Sequence, residues 1–220
     1  MRTLLDGHAA FRRQVPRDER RFLRQLASEG QSPDALYVGC SDSRVVPELL
    51  TASSPGALFV VRNVANLVPT LDHADASVGA ALEYAVGHLQ VQHVIVCGHY
   101  GCGGVRAAVD GLEPLHHHPS LCEWLRQLDP VVEALPPGDP DARWRAAVEN
   151  SVEAQLQNLL SYPPVSDAVA RGALEIHGWV YDMATLDLSV YDPSTDQYRP
   201  AREVLSTSDS PEPRPRQGGG

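Results

Sequence analysis

No apolar run in this sequence approaches the roughly 20 residues that span a bilayer. The longest, Val94 to Cys97 and Ala57 to Val61, stop after four and five residues, so no transmembrane segment and no membrane partner are expected. The N-terminus lacks the continuous apolar stretch of a secretory signal, because Asp6, His8, Arg12 and Arg13 break it up, and cytoplasmic residence is the expectation. Basic residues are few. Eighteen Lys and Arg stand against 28 Asp and Glu, a net charge of -10 with a pI near 5.3, which argues against nucleic acid or an anionic membrane as partner. Cysteine is scarce as well: Cys40, Cys97, Cys102 and Cys122 are all there is. A chain of 220 residues can bury a core without disulfides, so free thiols or metal ligands are the better readings. There is no internal repeat.

What the sequence does contain is an alternation of strand and helix. Ala35 to Cys40, Ala57 to Val61 and His93 to Cys97 are short, nearly unbroken apolar runs of the kind found in parallel strands buried on both faces. Leu174 to Tyr181 and Leu186 to Tyr191 add two more strands, with helices over Ala74 to Leu89 and Trp144 to Leu160. The loop around Pro136, Pro137, Gly138 and Pro140 divides two helices. Arg2 to Glu29 reads as amphipathic helix interrupted at Pro16, packing outside the main core. The pattern predicts an α/β domain with a largely parallel sheet and flanking helices, whose ligand site lies beyond the carboxyl ends of the strands. One domain over residues 1–205 is expected, followed by a disordered tail over 206–220, where apolar content vanishes.

Two strands run directly into polar motifs. After Cys40 comes Ser-Asp-Ser-Arg, and after the strand ending near Cys97 comes Gly-His-Tyr-Gly-Cys-Gly-Gly, residues 98–104. If those strands are neighbours, Cys40, His99 and Cys102 converge. Two thiolates and an imidazole suit zinc and leave its fourth position open, as in catalytic rather than structural sites. A cysteine at the end of a buried strand is otherwise a small core hydrophobe, and that reading is applied to Cys97 and Cys122. Cys40 and Cys102 differ because each sits in a turn beside polar groups that a core avoids. The glycines at 98, 101, 103 and 104 do not follow a nucleotide-binding order. His116, His117 and His118 lie between prolines and read as a solvated loop.

The segments CSDSR at 40–44, RNVAN at 62–66, EYAV at 83–86 and GHYGCGG at 98–104 closely resemble the β-class carbonic anhydrases, over roughly residues 30–195. The resemblance implies that Cys40, His99 and Cys102 bind one Zn2+ per chain and that Asp42 and Arg44 form the family's acid and guanidinium pair. It implies a parallel sheet with an antiparallel edge strand, built as a homodimer or dimer of dimers whose N-terminal helical arms embrace the partner. The implied reaction is reversible hydration of carbon dioxide to bicarbonate and a proton. Zinc makes hydroxide available near neutral pH, and hydroxide attacks the carbon of CO2. Asp42, held by Arg44, aims the nucleophile.

The family has two site types, and marks of both are present. Gln31, Phe59 and Tyr84 match the residues lining an always-open substrate pocket, with Val64 and Gly103 beside them. Gly39 and Tyr181 match a regulatory bicarbonate pocket in the other type, with Arg62 available to meet the anion, but Tyr37 stands where that pocket has tryptophan. The open type is the reading preferred here. Two alternatives remain: a related hydrolase of CS2 or COS using the same metal hydroxide, and a non-catalytic zinc-binding regulatory protein.

Overall fold

The computed structural model describes residues 1–73 and 75–207. Six strands, β1 (Ala35–Cys40), β2 (Leu58–Asn63), β3 (His93–His99), β4 (Glu175–Tyr181), β5 (Leu188–Asp192) and β6 (Gln197–Pro200), form one sheet in the order β2-β1-β3-β4-β5-β6. The first three pairings of that order, up to β4, are parallel, and β5 and β6 run antiparallel at the edge. The mostly parallel sheet expected from the apolar runs is present. β6 was not foreseen, so the antiparallel edge is a pair of strands rather than one.

Ten helices surround the sheet among the described residues. α1 (Arg2–Gln14) and α2 (Arg17–Glu29) break at Pro16 as the sequence predicts. Then follow α3 (Pro47–Leu50), α4 (Ala76–Leu82), α5 (Gly103–Asp110), α6 (Pro119–Leu125), α7 (Asp129–Glu133), α8 (Pro140–Leu159), α9 (Pro163–Ala170) and α10 (Ala201–Thr207). The predicted helix over 74–89 is present as α4, widened from Glu83 to His88 into a π-helical turn. α10 carries regular structure to Thr207, two residues into the stretch expected to be a tail. The remainder of that stretch, 208–220, lies outside the described residues.

Every residue of β1 is buried, which explains its lack of alternation: both faces of the strand are covered. On one face Leu36, Val38, Val94, Val96 and Val180 pack with Val148, Val152 and Leu156 of α8. α8 lies close because two strand residues have no side chain. A Cβ on Gly98 would come 2.7 Å from Val152, and one on Gly178 would come 3.0 Å from both Val152 and Leu156. On the other face Ala35, Tyr37, Ile95 and Cys97 pack with Val60, Trp179, Tyr181 and Leu188.

α1 buries none of its residues; Leu4, Leu5 and Phe11 remain 73%, 62% and 50% exposed. None of the described helices is long and apolar enough to cross a membrane.

Candidate metal centre

β1 and β3 are adjacent and parallel, with Gly39 opposite Cys97. Their carboxyl ends therefore deliver Cys40 and His99 to one spot, where the turn after β3 adds Cys102. The two sulfurs and the imidazole nitrogen lie within 4.8 Å of one another, and all three side chains are buried.

Each donor is presented by its local backbone. Cys102 is the residue before α5, and the backbone N–H groups of Gly104 and Val105 reach its sulfur. Those of Asp42 and Ala65 reach Cys40. The two sulfurs are 3.9 Å apart. The hydrogen bond between the two sulfurs favours loss of one of their two protons, lowering the pKa of Cys40 and raising that of Cys102. One thiolate is thus readily formed, and a nearby cation favours the second. His99 Nδ1 lies 3.2 Å from the Tyr100 carbonyl. A carbonyl cannot donate, so that contact puts the proton on Nδ1 and the lone pair on Nε2. His99 Nε2 is buried and has no hydrogen-bond partner among the described residues. A buried nitrogen without a partner is costly in a protein interior, and two thiols are its neighbours.

Asp42 lies at the rim of this cluster, with Oδ2 4.0 Å from His99 Nε2. Arg44 grips it twice, Nε donating to Oδ1 at 2.9 Å and Nη2 to Oδ2 at 2.6 Å, and the Arg44 backbone N–H donates to Oδ1 at 3.0 Å. These donors, the guanidinium first, hold the Asp42 carboxyl well below the usual carboxylate range.

Arg62, singled out from the sequence as an anion partner, has its guanidinium on backbone carbonyls. It donates to Cys40 at 2.9 Å, Asp42 at 2.6 Å and Val45 at 2.7 Å. The Tyr37 ring lies over Gly39, where a Cβ would sit 2.5 Å from its Cε1. Burial raises the Tyr37 hydroxyl and the adjoining Cys97 thiol, the latter to about 12, in keeping with Cys97 as a core residue. Tyr181 is half-buried beside them and accepts the Tyr100 N–H through its carbonyl at 2.9 Å.

Among the other residues, Phe59 and Tyr84 come together, ring centroids 5.7 Å apart. Val64 is partly exposed, and Gly103 opens α5 with room for a Cβ. Gln31 is exposed between α2 and β1, and its amide makes no hydrogen bond among the described residues. His116 to His118 are exposed, as expected of a solvated loop.

Three supports were missed in the sequence. Trp144 donates its indole N–H to the Cys102 carbonyl at 3.0 Å, and Trp124 donates to Val64 at 2.8 Å. The Asn63 amide closes its own loop, donating to the Leu67 carbonyl and accepting the Leu67 N–H. This loop holds Ala65 and Asn66 at positive φ, 65° and 50°. A tryptophan in a helix carries no mark of the carbonyl it will meet, but Asn63 and Asn66, in a segment already matched to a family motif, were a usable signal.

A family model described as carbonic anhydrase matches residues 35–188. The chain belongs to the β-carbonic anhydrase family. It is 39% identical over 203 residues to carbonic anhydrase 1 of Escherichia coli O157:H7, covering 91% of this chain and 92% of that protein. Its fold matches the β-carbonic anhydrase CcaA with a TM-score of 0.85 at 33% identity, over 91% of this chain and 98% of the other. It also matches one of two tetrameric β-carbonic anhydrases of Sordaria macrospora with a TM-score of 0.77 at 32% identity, over 86% and 95% of the two chains. Within that family, a buried Cys-His-Cys cluster beside an aspartate–arginine pair is what this chain has to offer for chemistry.

Proposed function

We propose that this chain reversibly hydrates carbon dioxide to bicarbonate and a proton, with Cys40, His99 and Cys102 holding one Zn2+ and with Asp42 and Arg44 at the reacting position. The observation that carries the reading is the buried, unpartnered Nε2 of His99, set beside two thiols and with a proton-bearing Nδ1 on its far side. Two soft sulfur donors and one imidazole fit zinc, and a set of three leaves one position free. When bound, zinc in such a set lowers the pKa of water and supplies the nucleophile that CO2 requires.

The remaining work belongs to the chain. Asp42, kept ionised by Arg44, accepts a hydrogen bond at the rim of the cluster and fixes which way the donor's lone pair faces. Arg44 holds that carboxylate in one orientation, because two parallel contacts define a plane where one contact would not. Phe59, Tyr84 and Val64 offer an apolar wall for an apolar substrate, Gly103 keeps the approach clear, and Gln31 offers an amide to bicarbonate. These roles follow the family resemblance residue by residue.

We read the site as the open type. The support is threefold: Asp42 is gripped twice by Arg44, the Arg62 guanidinium is engaged with three carbonyls, and the Tyr37 ring covers Gly39. Bicarbonate in a pocket of Tyr37, Gly39, Arg62 and Tyr181 would have to compete for those groups. The assembly we propose is a homodimer or a dimer of dimers, supported by the exposed apolar residues of α1 and by the tetrameric relatives. All four cysteines are unpaired, which supports a reducing, cytoplasmic setting.

The test is a stopped-flow CO2 hydration assay run beside a CS2 hydrolysis assay on the zinc-loaded protein. Fast CO2 turnover with none on CS2 is expected. CS2 turnover without CO2 hydration would reassign the chain to the sulfur-substrate hydrolases, and inactivity toward both with zinc retained would make it a binding protein.

A further inference from the structure

A second group of metal-binding side chains lies at the opposite, amino-terminal end of the sheet. His93 opens β3 and pairs in register with Glu175, which opens β4; Ile95 pairs with His177. Because side chains alternate along a strand, Glu175 and His177 leave β4 on one face, beside His93 of the neighbouring strand. His93 Nδ1 and His177 Nε2 are 3.1 Å apart, and a Glu175 oxygen lies 3.8 Å from the first and 3.7 Å from the second. The centre of a triangle with those sides is about 2.1 Å from every corner, the length of a zinc bond to nitrogen or carboxylate oxygen. The three donors already stand around one point at bonding distance.

We infer that His93, His177 and Glu175 form a second divalent-cation site, selective for nitrogen-preferring transition metals such as Zn2+ or Ni2+, with its remaining positions open to water. The donor set of two imidazoles and one carboxylate is of the kind zinc accepts with a position left free. Access is open as well, since the Glu175 side chain is 70% exposed. A bare hydrogen bond between the two rings would need only one proton and no carboxylate. Here the carboxylate stands almost equidistant from both nitrogens, a third donor facing the same point. This site is independent of what the first cluster does.

The test is isothermal titration of the full-length, zinc-loaded protein with additional Zn2+ and, separately, with Ni2+, with elemental analysis after desalting. A second equivalent per chain is expected at micromolar metal. The double variant His93→Gln, His177→Gln should lose it while keeping the first, and Glu175→Gln should weaken it about tenfold. Glu175 is exposed, so that variant reports even if the histidine pair proves needed for folding. With Ni2+, proton NMR should give strongly shifted imidazole N–H signals from two rings, absent in the double variant. A single equivalent in the unmodified protein would overturn the inference. So would a second equivalent that survives the double variant, which would place the metal elsewhere, for example on the loop at His116 to His118.

Discussion

Asp42 illustrates how much depends on one side chain having the right partner already in place. Its carboxylate is bound to Arg44 through both oxygens, and replacement by asparagine keeps the shape while removing the charge and one acceptor. Asp42→Asn should retain zinc but lose CO2 hydration by about 100-fold, the upper range for groups that orient a metal site from outside it. Metal analysis beside stopped-flow rates checks this, and a near-normal rate with metal retained would remove Asp42 from the chemistry. His177 acts at the same scale but through stability. Its pKa is lowered in the folded chain, first by burial and then by His93, whereas the unfolded imidazole protonates near 6.5. As pH falls through about 6.5 the unfolded chain takes up a proton that the folded chain does not, so stability falls with it. Urea denaturation at pH 7.5 and 5.5, without excess metal, should show a smaller loss in His177→Gln than in the unmodified protein.

At the scale of elements, the loop from β1 to α3 carries Asp42 and Arg44 but is held by β2. Arg62 reaches from β2 to three carbonyls, at Cys40, Asp42 and Val45, and thereby fixes the backbone on both sides of the aspartate. Arg62→Met should cost about 1–2 kcal/mol, a partly exposed set of charged hydrogen bonds, and should lower the hydration rate with zinc still bound. Chemical denaturation and metal analysis test both halves; an unchanged rate would mean the loop holds itself. Arg62 also marks where reading the sequence stops. An arginine after an apolar strand looks like an anion site, because the carbonyls it will meet are present at every residue and leave no pattern. The strands themselves were legible: β1 and β3 are unbroken apolar runs because both their faces are covered. β6, Gln-Tyr-Arg-Pro, was not, since an edge strand with one covered face, a charge and a proline has little to distinguish it from a loop. The Cys-His-Cys cluster was legible because Cys40 and Cys102 sit among polar and glycine residues at strand ends. The His93, Glu175 and His177 group was not, because its members come from two distant segments and become neighbours only through the parallel pairing of β3 with β4.

For the molecule as a whole, α1 projects Leu4, Leu5 and Phe11 to solvent while the chain keeps a net charge of -10. In the proposed homodimer those side chains are covered. Light scattering after size-exclusion should give a dimer or a multiple of it, and Leu4→Asp combined with Phe11→Asp should shift the protein toward monomer and make its melting temperature depend on concentration. An unchanged mass in that variant would assign the contact to another surface. Finally, β3 runs from His93 at one end to His99 at the other, so a single rigid strand joins the two clusters. Six residue steps of about 3.3 Å set them roughly 20 Å apart. That span is a fixed molecular ruler: with a paramagnetic ion in each cluster, pulsed electron resonance would read the length of the sheet from within, and a change in that reading would report strain in the strand.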